Sequence, residues 1–214
     1  NINADGNKKS ISGPGAGNYF SVGKTFKDIE TIFGSKTLQE KSCFLAHGTG
    51  TPLNRITESH IISTFAKEFG IKNLPVTSVK SKLGHTMGTA GMDQIWCGLG
   101  ALESQKLTGI CTIPKLADDV FKDNLDFFLD NKEFSSQKDI AFLNSKGFGG
   151  NNATSALISS SLTEELLQRR FTEKELKAWK KKREATLKLR EKNFELAVNL
   201  SLIHISEPTR HRRI

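Results

Sequence analysis

The chain has 214 residues, 36% of them hydrophobic and 25% charged, enough for one ordinary domain with a buried core. No apolar run approaches the roughly 18–20 residues that span a bilayer as a helix, so no membrane span is expected. The net charge of +8 sits mostly toward the C-terminal end, where residues 163–199 carry 11 basic and 7 acidic side chains, against 17 and 15 over residues 1–162. A near-neutral body without a basic, aromatic-studded face argues against nucleic-acid binding.

Residues 6–23, rich in Gly, Ser, Asn and Pro, read as an irregular surface loop. Phe26, Ile29, Ile32 and Phe33 fall at helical spacing and predict a helix over 24–33, closed by Gly34. Residues 43–46 form a short apolar run before a Gly-rich turn, which predicts a buried strand. Residues 54–69 suit a helix with Ile61, Ile62, Phe65 and Phe69 on one face and Gly70 at its end. A second strand is expected at 76–79, a helix of small and apolar residues at 86–104, and a third strand at 109–113. Residues 114–138 read as a long mixed connection in which Phe121, Leu125, Phe127 and Phe128 can pack. Two further strands are expected at 140–144 and 153–159. Strands alternating with helices imply a mostly parallel α/β sheet covered on both faces, and the closing pair adds an antiparallel element.

Residues 162–199 differ from the body. Thr163 followed by two glutamates reads as a helix start, and no Gly or Pro interrupts Glu173 to Phe194. One or two solvated charged helices are expected, with a basic arm for a partner as the alternative.

Three segments carry chemistry. The first is His47-Gly48-Thr49-Gly50-Thr51-Pro52, with Glu58 eleven residues after His47. The second is Lys80-Ser81-Lys82-Leu83-Gly84-His85. The third is Asn144-Ser145-Lys146-Gly147-Phe148-Gly149-Gly150-Asn151-Asn152. Each follows a predicted strand, and in open parallel sheets sites collect outside the carboxyl ends of strands. A neutral imidazole can donate an N–H to a carbonyl oxygen that is gaining charge, and two such donors can hold an enolate. Glycine beside each histidine lets backbone and substrate approach closely. Lys80 brings positive charge, and Glu58 is expected to pair with it.

On these three motifs the chain, over about residues 5–160, resembles the C-terminal half of the beta-ketoacyl-acyl-carrier-protein synthases, condensing enzymes with the thiolase-like fold. The resemblance implies that His47 and His85 bind the malonyl thioester carbonyl and stabilise the enolate left by decarboxylation. It implies that Lys80 is the active-site lysine and Glu58 the acid that organises it. Thr49 and Thr51 match the threonines that hydrogen-bond the phosphopantetheine arm. Phe148 matches the gating phenylalanine, and the Phe148-Gly149 backbone matches the oxyanion hole. His60 has no matching role and is expected on a helix surface. Two positions depart from the pattern: Arg55 stands where an Asp is common, which is expected to alter the charge network near Glu58, and Lys146 stands where a Phe is common, at the gate.

The nucleophile that such enzymes acylate is a cysteine in the N-terminal half. Cys43, Cys97 and Cys111 fall in predicted core elements and are expected to be packing residues. Three cysteines without CxxC spacing also argue against disulfides and a cysteine zinc site, and fit a reducing, cytoplasmic compartment. The chain therefore reads as a fragment beginning just after the first strand of the C-terminal half, inactive alone, with apolar surface left open where the other half packs. Residues 1–161 are expected to form that half, 162–199 a charged extension, and 200–214 a non-native tail, because 200–210 resemble a translated sequencing adapter. The implied partners are an acyl carrier protein, malonyl and acyl thioesters, and a second copy in a homodimer. No metal or bound cofactor is expected, since phosphopantetheine arrives on the carrier or on CoA. The alternative is a non-catalytic or decarboxylase-only partner subunit of a condensing heterodimer.

Overall fold

A computed structural model describes residues 1–5 and 15–199; the segment 6–14 and the expected adapter tail at 200–214 lie outside the described residues. The chain folds as two compact units, Asn1–Leu162 and a second beginning at Thr163.

In the first unit, strand β1 (Ile2–Ala4) leads to helices α1 (Ala16–Phe33) and α2 (Ser35–Lys41), then β2 (Ser42–Leu45), α3 (Pro52–Glu68), β3 (Leu74–Thr77) and the single turn α4 (Lys80–Leu83). After the 3-10 turn Met87–Thr89 come α5 (Ala90–Ser104), β4 (Lys106–Leu107), β5 (Leu125–Phe127), β6 (Lys132–Glu133) and the hairpin β7 (Ile140–Gly147) and β8 (Asn151–Ile158). The six-stranded sheet runs β1-β8-β7-β2-β3-β5. β2 is parallel to both β3 and β7, and β3 to β5, while β8 runs antiparallel to β7 and to β1. The expected mostly parallel α/β sheet with an antiparallel closing pair is therefore present.

Strand alternation sorts the core into two layers. Phe44 of β2, with Ile140 and Phe142 of β7, faces α1 and α3, where Phe26, Ile61 and Ile62 complete one layer. Cys43, Leu45, Ala141 and Leu143 face α5 and form the other layer with Ala101 and Leu102. The rings of Phe26 and Phe142 lie 4.3 Å apart between centroids. Gly98 lets α5 approach the sheet: a β-carbon there would meet Leu157 Cδ1 at 2.9 Å.

Several boundaries differ from the sequence reading. α1 starts at Ala16, so residues 16–23 are helix, not loop. Its first turns bury Asn18, Ser21 and Thr25, and Thr25 Oγ1 donates to Thr154 O while Thr154 Oγ1 donates to Ser21 Oγ. Polar packing of this kind leaves no apolar periodicity to read. β3 lies two residues earlier than expected. The helix expected at 86–104 starts at Ala90, after a 3-10 turn.

No strand forms at 109–113. Only Ile110 N–H reaches a neighbouring backbone there, at Phe128 O, and Gly109 presses against the main chain of Leu129 and Asp130. The sheet edge is instead β5, inside the segment read as a connection. Cys111 is consequently exposed rather than buried in a strand. Ile2–Ala4 is a strand that the sequence reading did not include. Apolar side chains also stand open on α4, the 3-10 turn and α5: Leu83, Met87, Met92 and Trp96 are exposed, Trp96 at 79%.

α6 (Ser160–Arg170) and α7 (Glu173–Asn199) lead into and build the second unit. α6 starts before Thr163, with Ser159 Oγ accepting Leu162 N–H. Thr172 and Glu175 form a reciprocal capping box that starts α7. α7 buries no residue, and i,i+4 pairs such as Lys177–Glu173 and Lys188–Glu184 line its solvated surface. Among the described residues, no helix is long and apolar enough to cross a membrane.

Candidate active site

The three motifs emerge at the carboxyl ends of the parallel strands β2, β3 and β7, and they meet there. Gly48, at φ +55°, turns the chain sharply after His47, and Ser78 Oγ fastens the turn by donating to Gly48 O at 2.8 Å. Pro52 opens α3 with a preset φ, so that Asn54 and Glu58, one turn apart, face back beneath the His47 turn.

Glu58 is buried and accepts four hydrogen bonds. His47 N–H (2.7 Å) and Asn144 Nδ2 (2.7 Å) go to Oε1, and Gly48 N–H (2.9 Å) and Asn54 Nδ2 (3.0 Å) go to Oε2. Burial works to raise its pKa, but the positive charge of Lys146, with His47 and these hydrogen bonds, holds it below the ordinary carboxylate value. The expected direct pairing of Glu58 with Lys80 is not formed. Lys80 Nζ donates to the carbonyl of His47 at 2.6 Å, because the carboxylate is already filled by amide donors. Burial lowers the pKa of Lys80, against the charges of Glu58 and Asp93.

The two histidines stand edge to face, with ring centroids 5.8 Å apart. His47 Nδ1 accepts the N–H of Lys146 at 3.2 Å, and His85 Nδ1 accepts the N–H of Met87 at 3.1 Å. A neutral ring whose Nδ1 accepts carries its proton on Nε2, so both rings present Nε2–H donors. His47 Nε2 is buried and has no partner among the described residues. Burial is the main cause that pushes the pKa of His47 down to about 4, with Glu58 opposing and Lys80, Lys146 and His85 assisting. His47 is therefore neutral at pH 7.

The threonines lie at the open side of the same turn, with Thr49 Oγ1 and Thr51 Oγ1 3.4 Å apart. Phe148 is at the tip of the β7–β8 hairpin, 71% exposed, where Gly149 and Gly150 adopt φ of +79° and +78°. It makes no ring contact with either histidine. Beside Glu58 and Lys80 lies a cavity of about 410 Å3, also lined by Thr49 and by apolar Ile62, Val76 and Ile113.

Other expectations need correction. Arg55 does not enter the Glu58 network; it makes a two-pronged pair with Asp119, both contacts at 2.7 Å. His60 is not a free surface residue, since its Nδ1 is 2.7 Å from Tyr19 Oη and its ring packs on Phe121 at 4.7 Å. Lys146 is not at an open gate; its ammonium points inward and donates to Asn54 Oδ1 at 3.2 Å. Cys43 is buried as expected, and burial pushes its thiol up to about 12. None of the three cysteines hydrogen-bonds to His47 or His85.

Sequence reasoning missed Gln94. Its buried amide donates to Ala46 O (2.8 Å) and Asn144 O (3.0 Å) and accepts from Ser145 Oγ (2.9 Å), tying β2 to β7 just below the histidines. Nothing local to a Gly- and Ala-rich helix marks it. Asn54 was legible in principle as the residue one turn before Glu58.

Residues 37–113 match the family model for beta-ketoacyl synthase, C-terminal domain. The chain is 44% identical over 187 residues to beta-ketoacyl-[acyl-carrier-protein] synthase FabY of Pseudomonas aeruginosa, covering 86% of this chain and 29% of that protein. The crystal structure of the noncanonical ketosynthase FabY from the same organism aligns with a TM-score of 0.82 at 43% identity, over 86% of this chain and 29% of that one. The ketosynthase from module 6 of the bacillaene synthase of Bacillus subtilis aligns with a TM-score of 0.60 at 25% identity, over 74% and 29% of the two chains. The chain thus spans less than a third of the length of these relatives.

Proposed function

We propose that this chain, whose residues 37–113 match the beta-ketoacyl synthase, C-terminal domain, supplies the decarboxylating half of a condensing enzyme of fatty-acid or polyketide synthesis. The observation that carries this reading is the pair of Nε2–H donors on His47 and His85, each held in that tautomer by a backbone N–H on its Nδ1.

In the proposed reaction both donors bind the thioester carbonyl oxygen of a malonyl group. The bond from its α-carbon to the carboxylate breaks, carbon dioxide leaves, and the electron pair stays as an enolate whose oxygen the two imidazoles stabilise. The enolate carbon then attacks an acyl thioester on a cysteine contributed by a preceding segment, and the cysteine thiolate leaves. Neutral imidazoles suit this role because they donate without giving up a proton. Lys80 and Glu58 hold the His47–Gly48 peptide in place. Thr49 and Thr51 are assigned to the phosphopantetheine arm, delivered on an acyl carrier protein or CoA, and the Phe148–Gly149 turn to the acyl carbonyl. No metal or resident cofactor is needed in this scheme. The full-length enzyme is proposed to work in the cytoplasm as a homodimer.

The test is carbon dioxide release from malonyl-acyl carrier protein by the full-length protein that contains this chain. His47→Ala and His85→Ala are each expected to lower the rate by about 10²–10³. A wild-type protein that releases none, though folded and able to bind the carrier, would make this chain part of a non-catalytic partner subunit instead.

A further inference from the structure

Lys146 is 8% exposed, and a buried ammonium is costly unless an opposite charge and hydrogen bonds compensate it. Asn54 links the ammonium to Glu58. Lys146 Nζ donates to Asn54 Oδ1, and Asn54 Nδ2 donates to Glu58 Oε2. Among the charges acting on Glu58, that of Lys146 is the strongest that favours the carboxylate. The same residue reaches His47 from the other side, through its own N–H on Nδ1.

Four charged or titratable groups face His47: Glu58 from α3, Lys80 from α4, His85 from the loop that follows, and Lys146 from β7. Glu58 alone would favour an imidazolium. A protonated Nδ1 would also point its hydrogen at the N–H of Lys146, donor against donor.

We propose that Lys146 is a positioning residue of this site: its ammonium is the buried counter-ion of Glu58, and it keeps His47 in the neutral form that donates from Nε2. The inference deepens the functional reading above and rests on it for its meaning, but it is tested without enzymatic turnover. Histidine ring signals of the full chain are followed by NMR against pH, with His47 assigned from a His47→Gln variant. Lys146→Met and Lys146→Gln are expected to raise the His47 midpoint from about 4 by about one pH unit, and Lys146→Arg is expected to leave it in place. Unchanged midpoints in the two neutral variants would overturn the proposal even if the protein proved to be an active decarboxylase. Conversely, a shifted midpoint in a protein that releases no carbon dioxide would sustain the counter-ion and sink the functional reading. If neither neutral variant folds, Glu58→Gln is added to Lys146→Met: recovery of the fold supports the counter-ion, and failure to recover overturns it.

Discussion

Glu58 and Lys80 hold opposite ends of one peptide unit without touching each other. Lys80 donates to the carbonyl of His47, and Glu58 accepts the N–H of Gly48 from the same peptide group. Positive charge on the carbonyl and negative charge on the N–H both deepen the peptide dipole, so the turn that aims His47 is clamped from two elements at once. Glu58→Gln offers one acceptor oxygen to four donors and turns an NH₂ toward the rest. The substitution is expected to cost about 2–4 kcal/mol of stability, read from urea unfolding at pH 7; a loss below about 1 kcal/mol would mean that the clamp is weak.

Gly48 and Gly50 both have positive φ, +55° and +70°, but differ in surroundings. A β-carbon on Gly48 would lie 2.1 Å from Ser78 Oγ, whereas one on Gly50 meets nothing within 4 Å. Gly50→Ala therefore has only the backbone penalty, about 1–2 kcal/mol. Gly48→Ala adds the clash and loses the Ser78 bond, so it is expected to cost about 3 kcal/mol or more. Equal melting temperatures for the two variants would contradict this.

His47 gives stability a defined pH dependence. Its folded pKa of about 4 lies below the ordinary value of about 6.5. Between those values the unfolded chain takes up a proton that the folded chain does not. Stability contributed by the neutral ring is thus fully present above about pH 6.5 and is lost as pH falls toward 4, by on the order of 3 kcal/mol. The depressed pKa of Glu58 works in the same direction at lower pH. His47→Gln is expected to flatten the slope of unfolding free energy between pH 6.5 and 4.5, and an unchanged slope would assign it to other groups.

The cysteines are expected to separate by reactivity. Cys111 is exposed and Cys43 buried, with its thiol pushed up to about 12. Against iodoacetamide at pH 8, Cys43 is expected to react on the order of 10³-fold more slowly than Cys111. Cys97, half-buried and raised by burial and Asp93, is expected to fall between them. Mass spectrometry of the labelled peptides gives the order, and rapid labelling of Cys43 would show that the β2 layer opens.

The site was legible in the sequence where its parts are local. His47, Gly48 and Thr49 follow a short apolar strand directly, Glu58 lies on the next helix, and Lys80 and His85 share one six-residue motif after β3. Glycine, histidine and charge at strand ends state their chemistry by position alone, because strand direction fixes which end of the sheet they reach. The alternation of strands and helices likewise specified a parallel sheet without any knowledge of contacts.

Only the tertiary structure decided what each charged group does. Arg55 turns to Asp119, 64 residues away, and Lys146 turns to Asn54, 92 residues away. Glu58 is filled by amides from the His47–Gly48 turn, from β7 and from its own helix, so Lys80 goes to a backbone carbonyl. The three-residue strands β1 and β5 escaped the sequence reading for a related reason. Their order comes from hydrogen bonds to β8 and β3, and so short a run carries no periodicity of its own. The sequence determined which groups come to the mouth of the sheet. Burial and the order in which donors fill the Glu58 carboxylate determined which of them pair, because a buried charge takes the partners that packing leaves within reach.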